Sequence, residues 1–426
     1  MRDRPYSDKS QNRWVLIAVG GATFYQAILC AMNTFGFPVS VALLMLGEVL
    51  IIASCIPLLL PRLLPGVVIL ASLLGAMFCA QALLKGGLDI KSFRDVLIPI
   101  VFYWAGRNVG STQAADRLLK ILVVVILIIG FIELWATDFF TQIFDVFGFY
   151  LDTGRVQEVT SYERESKLQL NGIRPDGIGR TLLPQLLSNH RVSSVFLEPV
   201  SLGNFATVVV AWALAKGKEQ WRTQAFFLVT AVVLIVLTDS RFALLCVTIL
   251  IAARLMLNGG WATYLVSLIP LIILAGLVLM GIYGDEYNGD DYAGRFARSG
   301  RTLLEMSGYA VLGVDHTGSY HDYGYSYVLA NFGLISVMAL WIVFWLLPMK
   351  DEEGMRFRAS IGIYVTLILC ISGNSVFAMK TAGVVWFLIG IMAKDPARPL
   401  VSKAQPEAAI RGVGRRFTQG SGAVHS

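Results

Sequence analysis

Residues 64–84 read LPGVVILASLLGAMFCAQALL, 21 positions without a single charge. At 1.5 Å per residue an α-helix of that length is about 31 Å long, the thickness of the hydrocarbon core of a bilayer. The apolar residues run on continuously rather than alternating, which argues against a transmembrane β-barrel. In lipid every backbone N–H and C=O must find its partner inside the segment, so the block is read as a membrane-spanning helix. The pattern recurs along the chain. Of the 426 residues 56% are hydrophobic and 15% charged, with a mean hydropathy of +0.65. Soluble domains average about 45–50% apolar and about 25% charged, and a surplus of this size cannot be buried in one soluble core. The fold class that follows is all-α, a polytopic transmembrane helical bundle of about 12 spans.

Working outward, the spans fall at about Trp14–Met32, Val39–Leu60, Leu64–Leu84, Arg94–Gly106, Leu118–Ala136, Ser194–Ala215, Thr223–Thr238, Phe242–Leu257, Ala262–Tyr283, Ser326–Pro348, Ser360–Ser372 and Val376–Ala393. The fourth is short and carries Pro99, and the last two could form a re-entrant pair around Gly373 and Asn374. The first is longer than a signal-peptide core and has no clear cleavage site, so it is expected to be retained. With the N-terminus in the cytoplasm, 21 of the 35 basic residues fall on the inner side, mostly in short loops, as the positive-inside rule requires. Both termini are then cytoplasmic. Two long loops, at about 137–193 and 284–325, face outward, on the non-cytoplasmic side. Residues 1–393 form the expected membrane domain. Residues 394–426, rich in Gly, Ala, Ser and Pro, form an expected disordered tail.

The five cysteines all lie in apolar blocks, with no CxxC pair and no Cys/His cluster, which fits packing residues rather than a disulfide framework or a zinc site. The net charge of +6 is spread over loops without a nucleic-acid-binding motif, so no nucleic acid is expected as partner. Asp290-Asp291 alone is too little for a metal site, and neither a metal nor another cofactor is expected.

Ionisable residues close to membrane spans are costly and are functional candidates by default. Glu133, Glu198, Asp239, Arg241 and Lys380 all fall near the outer end of a span, and Glu48 lies deeper. Three segments gather them: Arg191 through Phe205, with Glu198-Pro199 at the head of the sixth span; Thr238-Asp239-Ser240-Arg241, a short outer turn; and the second outer loop. That loop carries Arg295, Arg298 and Arg301, then Leu312-Gly313-Val314-Asp315-His316, then His321-Asp322-Tyr323-Gly324-Tyr325. Arginine suits phosphate, because its planar fork donates several hydrogen bonds and stays charged. Histidine suits acid–base work near neutral pH. The bland alternatives are a kinked helix at Glu198, an Arg241 paired with Asp239, and inert loop histidines.

These segments, in this order and on one side of the membrane, resemble the Wzy-type polysaccharide polymerases of the O-antigen polymerase and ligase superfamily. The nearest likeness is to exopolysaccharide polymerases of the xanthan kind. Arg191 through Phe205 is similar to the family's arginine followed by Phe-x-Glu/Asn-Pro, and Ser240-Arg241 to its Ser-Arg at the head of a span. Arg301 through Gly333 is similar to its arginine, Leu-Gly-x-Gly, His-Asn and Gly-Leu-Ile series. The chain departs from the pattern where Asp322 follows His321 and where Asp315 stands in place of a glycine, which leaves either His321 or His316 as the family histidine; His321 is nearer the tenth span.

The resemblance implies a glycosyl transfer at the periplasmic face. An acceptor sugar hydroxyl attacks the anomeric carbon of an undecaprenyl-diphosphate-linked oligosaccharide, and undecaprenyl diphosphate leaves. It implies His321 as base or acceptor-orienting residue, and Glu198 as a second base or as an orienter of Arg241. Arg241 is carried over as catalytic and, with Arg191, Arg298, Arg301 and Tyr325, as a diphosphate or sugar contact. The partners implied are the lipid-linked oligosaccharide, the bilayer, and a flippase and chain-length regulator of the same pathway. An O-antigen ligase with lipid A-core as acceptor has the same chemistry. A transporter would be expected to show related halves and broken midplane helices, and a structural partner of an export complex is a further alternative.

Overall fold

A computed structural model describes residues 8–87, 89–156, 167–168, 172–173, 180–187, 189–257, 260–284, 291–315, 320 and 322–394. Among the described residues there are no strands, only two isolated bridges, Ile173–His190 and Met349–Ala393. The α-helices of nine residues or more are α1 (Ser10–Thr34), α2 (Val41–Leu59), α3 (Pro65–Lys85), α4 (Ile90–Val109), α5 (Thr112–Trp135), α6 (Pro199–Ala215), α7 (Trp221–Thr238), α8 (Arg241–Met256), α9 (Ile269–Tyr283), α10 (Tyr292–Glu305), α11 (Gly324–Phe332), α12 (Leu334–Leu346), α13 (Glu352–Ile368) and α14 (Met379–Met392). All lie in one compact unit, Met1–Lys394.

The helix boundaries have local causes. Side chains of Asp89, Ser111, Ser240, Asp291 and Asp351 accept backbone N–H groups at the starts of α4, α5, α8, α10 and α13, the N-cap role for which short polar residues are suited. Pro65 and Pro199 open α3 and α6, where a missing N–H costs nothing. Gly86 and Gly110 close α3 and α4 with φ of 68° and 60°.

Packing separates a lipid-like rim from a centre. Helix α6 is buried from Ser201 to Ala215, and α14 is buried nearly throughout. Outward positions of α2, α3 and α9 are apolar and exposed, among them Leu50, Leu73, Leu84 and Ile272. The centre is closed by backbone-to-backbone approach at small residues, the device that holds helices together where lipid removes the hydrophobic drive. A Cβ on Gly106 of α4 would sit 2.0 Å from the Phe387 carbonyl oxygen of α14, and one on Gly390 of α14 would sit 2.2 Å from that of Tyr103. One on Gly300 of α10 would sit 2.0 Å from the Leu277 oxygen of α9.

Each of the twelve expected segments overlaps a helix, and the chain is a multi-pass membrane protein of all-α class. Among the described residues six helices are long and apolar enough to cross a bilayer: α1, α2, α3, α5, Lys218–Thr238 and Gly260–Tyr283. A seventh arises if α11 and α12 count as one span, but they meet at 104°. The straight span expected at Ser326–Pro348 is thus broken at Gly333, whose φ is +76°. The freed carbonyls of α11 are not left bare: Gln81 Nε2 donates to the Phe332 oxygen (3.1 Å) and Lys85 Nζ to the Ala330 oxygen (3.1 Å). Helices α4, α6, α8, α13 and α14 are shorter or more charged than a free-standing span. The second expected outer loop contains a 14-residue helix, α10, packed on α9. The expected tail after Lys394 lies outside the described residues.

Basic residues at one end of the bundle cap helix C-termini. Arg254 Nε donates to the Leu214 oxygen (2.9 Å), Arg356 Nε to that of Ala215 (3.1 Å) and Lys350 Nζ to that of Gly110 (2.7 Å). Positive charge at a helix C-terminus is favourable.

Candidate functional site

At the opposite end, the segment from His190 to Glu198 is threaded between α5 and α7. The Arg191 side chain is buried, and its Nε donates to the Thr238 oxygen (3.0 Å). Val192 N donates to the Leu237 oxygen (3.0 Å). The carboxylate of Glu133 on α5 accepts from Ser193 N (2.9 Å), Ser193 Oγ (3.1 Å) and Ser194 N (2.5 Å), with His190 Nε2 at 3.2 Å. Ser194 and Leu197 are held at φ of +50° and +59°, a left-handed conformation that costs a non-glycine residue about 1–3 kcal/mol and persists only where its surroundings over-determine it. The Glu133 clamp and the helix that follows supply that constraint, and together they fix Glu198 at the N-cap of α6.

Glu198 is an ion-pair partner of Lys380 on α14: Nζ lies 3.2 Å from Oε2. Ser201 Oγ donates to the same oxygen (2.6 Å), and Tyr150 OH donates to Oε1 (3.2 Å). A lysine in the first turn of α14 opposes the helix dipole. Its buried ammonium is accommodated by three acceptors, the Glu198 carboxylate, the Phe196 oxygen (2.8 Å) and Gln26 Oε1 (3.1 Å).

From Gln26 the chain of polar contacts continues without a gap. Gln26 Nε2 donates to Tyr25 OH (3.0 Å), which donates to Glu48 Oε1 on α2 (2.9 Å). Arg94 of α4 bridges Glu48 Oε2 (2.7 Å) and Asp95 Oδ1 (2.6 Å), and Tyr327 OH on α11 donates to Asp95 Oδ2 (3.1 Å). Six helices are tied together, α1, α2, α4, α6, α11 and α14. Beyond it, Lys91 Nζ stands 5.0 Å over the Tyr327 ring and donates to Asn374 Oδ1 (2.8 Å), while Asp322 Oδ1 accepts from Asn374 N (2.6 Å) and Oδ2 from Ser372 Oγ (2.7 Å).

The residues expected at a site divide as follows. Glu198 lies at the head of this network. It does not orient Arg241, whose Nε instead donates to Thr181 Oγ1 (2.7 Å). Nor does Arg241 pair with Asp239, whose buried carboxylate accepts from Thr181 N (3.0 Å) and Leu182 N (2.8 Å). Ser240 packs against Gly203 of α6, where a Cβ would come within 2.6 Å of its Oγ, so the Ser-Arg turn and the Glu-Pro helix are in direct contact. Arg191 acts locally as a clamp on the end of α7. Arg298 and Arg301 lie on α10, one turn apart; the Arg298 guanidinium makes no hydrogen bond or ion pair among the described residues. Tyr325 is buried with its hydroxyl on the Thr366 oxygen (3.2 Å). His316 and His321 lie outside the described residues. The stems of their loop are defined: a Cβ on Gly313 would sit 2.6 Å from Gly333 N, which joins the Leu-Gly and Gly-Leu-Ile motifs backbone to backbone.

Residues that the motifs did not point to include Arg180, which reaches the carbonyls of His190, Val236 and Leu237, and the set Tyr25, Gln26, Arg94, Asp95, Tyr150 and Tyr327. The adjacent charges Arg94 and Asp95 inside an apolar block were the one visible sign of it. Beside the network an apolar cavity of about 560 Å³ opens between α1, α5 and the Val195 turn. Comparison of the chain with models of protein families, with curated proteins and with solved structures finds no match.

Proposed function

We propose that the chain polymerises polyprenyl-diphosphate-linked oligosaccharide repeat units at the outer face of a bacterial inner membrane, by transfer of the glycan from its lipid carrier to an acceptor sugar hydroxyl. The observation that carries this reading is the Glu198–Lys380 pair, its ammonium buried and its carboxylate partly exposed, at the end of the bundle where Arg155, Arg241 and Arg298 have no ion-pair partner among the described residues. Guanidinium groups outside ion pairs suit a departing diphosphate, and fixed charge in a water-poor site is commonly the largest catalytic contribution. Both oxygens of Glu198 are already engaged, so in this mechanism it positions Tyr150 and Lys380, and the acceptor proton goes to a histidine, His321 before His316. Reaction beside an apolar cavity lets the lipid tail stay in the membrane while the sugar reacts at its surface.

The test is a deletion strain analysed for its glycans. Loss of high-mass polysaccharide, with single lipid-linked repeats accumulating, is expected. Intact polymer that is no longer joined to lipid A-core would select the ligase instead, and lipid-linked repeats confined to the cytoplasmic leaflet would select a transporter.

A further inference from the structure

The cavity beside the network and the network itself share their walls. Helix α1 turns Tyr25 and Gln26 to the polar chain and Phe24, Ile28 and Met32 to the cavity. Ile129, which also lines it, lies one turn before Glu133 on α5, and Val195 precedes the Phe196 carbonyl that accepts from Lys380. Ala27, Ala31, Phe35, Phe37 and Phe144 complete the lining, and no polar surface contributes. At the same end stands Arg155, exposed, with its backbone N on the Tyr150 oxygen (2.9 Å) and its guanidinium 5.8 Å from the centre of the Tyr150 ring. Tyr150 is in turn bonded to Glu198. The guanidinium of Arg155 has no ion pair or hydrogen bond among the described residues.

We propose that this cavity and Arg155 together bind an anionic isoprenoid lipid, the branched chain against Phe24, Ile28 and Val195 and the diphosphate on the Arg155 fork. The assignment rests on the function proposed above and names where the lipid carrier lies. A single cavity of about 560 Å³ is of ordinary ligand size and takes the first isoprene units of one chain, whereas a diacyl phospholipid would bring two chains to it. The Arg155 guanidinium supplies the charge complement that a neutral isoprenoid alcohol would not use.

The test uses the full chain in nanodiscs of phosphatidylethanolamine and phosphatidylglycerol, with a benzophenone-bearing farnesyl diphosphate as photoprobe. Labelling is expected within residues 24–37 and 144–155, displaced by farnesyl diphosphate and much less by farnesol. Arg155→Gln, at an exposed position, should weaken that displacement about tenfold or more, the factor a charge-assisted hydrogen bond contributes. Ala31→Trp fills the cavity and should abolish labelling while the protein elutes as wild type. Label spread evenly over lipid-facing helices, or displaced equally by phosphatidylglycerol, would overturn the proposal, as would an Arg155→Gln protein with unchanged displacement. Labelling as expected in a chain whose deletion leaves polysaccharide intact would sink the polymerase reading and keep this site. A polymer phenotype without labelling would do the reverse.

Discussion

Replacing Lys380 by Met keeps the length of the side chain and removes its charge. Lys380 is 3% exposed, and its loss strands three acceptors: Glu198 Oε2, Gln26 Oε1 and the Phe196 oxygen. Breaking a buried ion pair from one side typically costs about 3–5 kcal/mol. Here the low end applies, because the Glu198 side chain is 33% exposed and can recover water, while Gln26 and Phe196 are buried and cannot. A destabilisation of about 3 kcal/mol is therefore expected. Adding Glu198→Gln removes the stranded charge and should recover part of it, a coupling of at least about 1 kcal/mol for directly contacting residues. The assay is reversible unfolding of wild type, both single variants and the double variant in mixed micelles of mild detergent and dodecyl sulfate. A Lys380→Met protein within about 0.5 kcal/mol of wild type, the range of ordinary surface changes, would show that the pair does not hold α6 to α14. Strict additivity in the double variant would refute the coupling itself.

Two further outcomes check the architecture. Gly300→Val, whose Cβ would lie 2.0 Å from the Leu277 oxygen, should lower stability by about 1–3 kcal/mol, the cost of overpacking; Gly276→Val on α9, where a Cβ meets nothing within 4 Å, should cost far less in the same unfolding assay. Reporter fusions after Tyr150 should report the periplasm and those after Lys218 and Arg356 the cytoplasm; a cytoplasmic signal at Tyr150 would put the Glu198 end on the wrong side for the proposed reaction.

Hydropathy made the helices legible, because a block of some twenty apolar residues admits few other structures in lipid. It could not show the 104° bend at Gly333, since a lone glycine in an apolar block does not disclose its φ. The helical content of the second outer loop was also written in the sequence: Tyr292, Phe296 and Leu303 repeat at helical spacing, but the arginines between them drew attention to ligand binding instead. At the site, Glu198 and Lys380 stood out singly as charges near span ends, yet they are 182 positions apart and nothing local joins them. Arg191 shows the ambiguity of a single side chain. The same guanidinium donors that suit a phosphate suit a helix's last carbonyls, and here the Thr238 oxygen takes one.

The two ends of the bundle use buried charge differently. At the end with Ala215, Arg254 and Arg356 sit on terminal carbonyls of α6, and Lys216 pairs with Asp116 of α5 (2.8 Å) over the Trp212 ring; these charges satisfy helix ends and join α6 to a neighbouring helix. The Glu198 end has a different form. Its chain from Glu198 to Tyr327 caps few terminal carbonyls and crosses six helices with two cations and three carboxylates. Well-packed apolar side chains of similar volume would often give equal or greater stability than buried ion pairs, and every member must stay satisfied or the array becomes a liability. Stability alone therefore does not account for it. On the function proposed above, an array of fixed charges that ties the Glu-Pro helix, the Ser-Arg turn packed on it and α11 to one frame would serve glycosyl transfer at a membrane surface. On that reading the frame fixes the Ser-Arg turn that carries Arg241 and the Tyr150 ring beside Arg155, and pre-set positive charge is useful to a leaving diphosphate only where its surroundings are held rigid before the bond breaks.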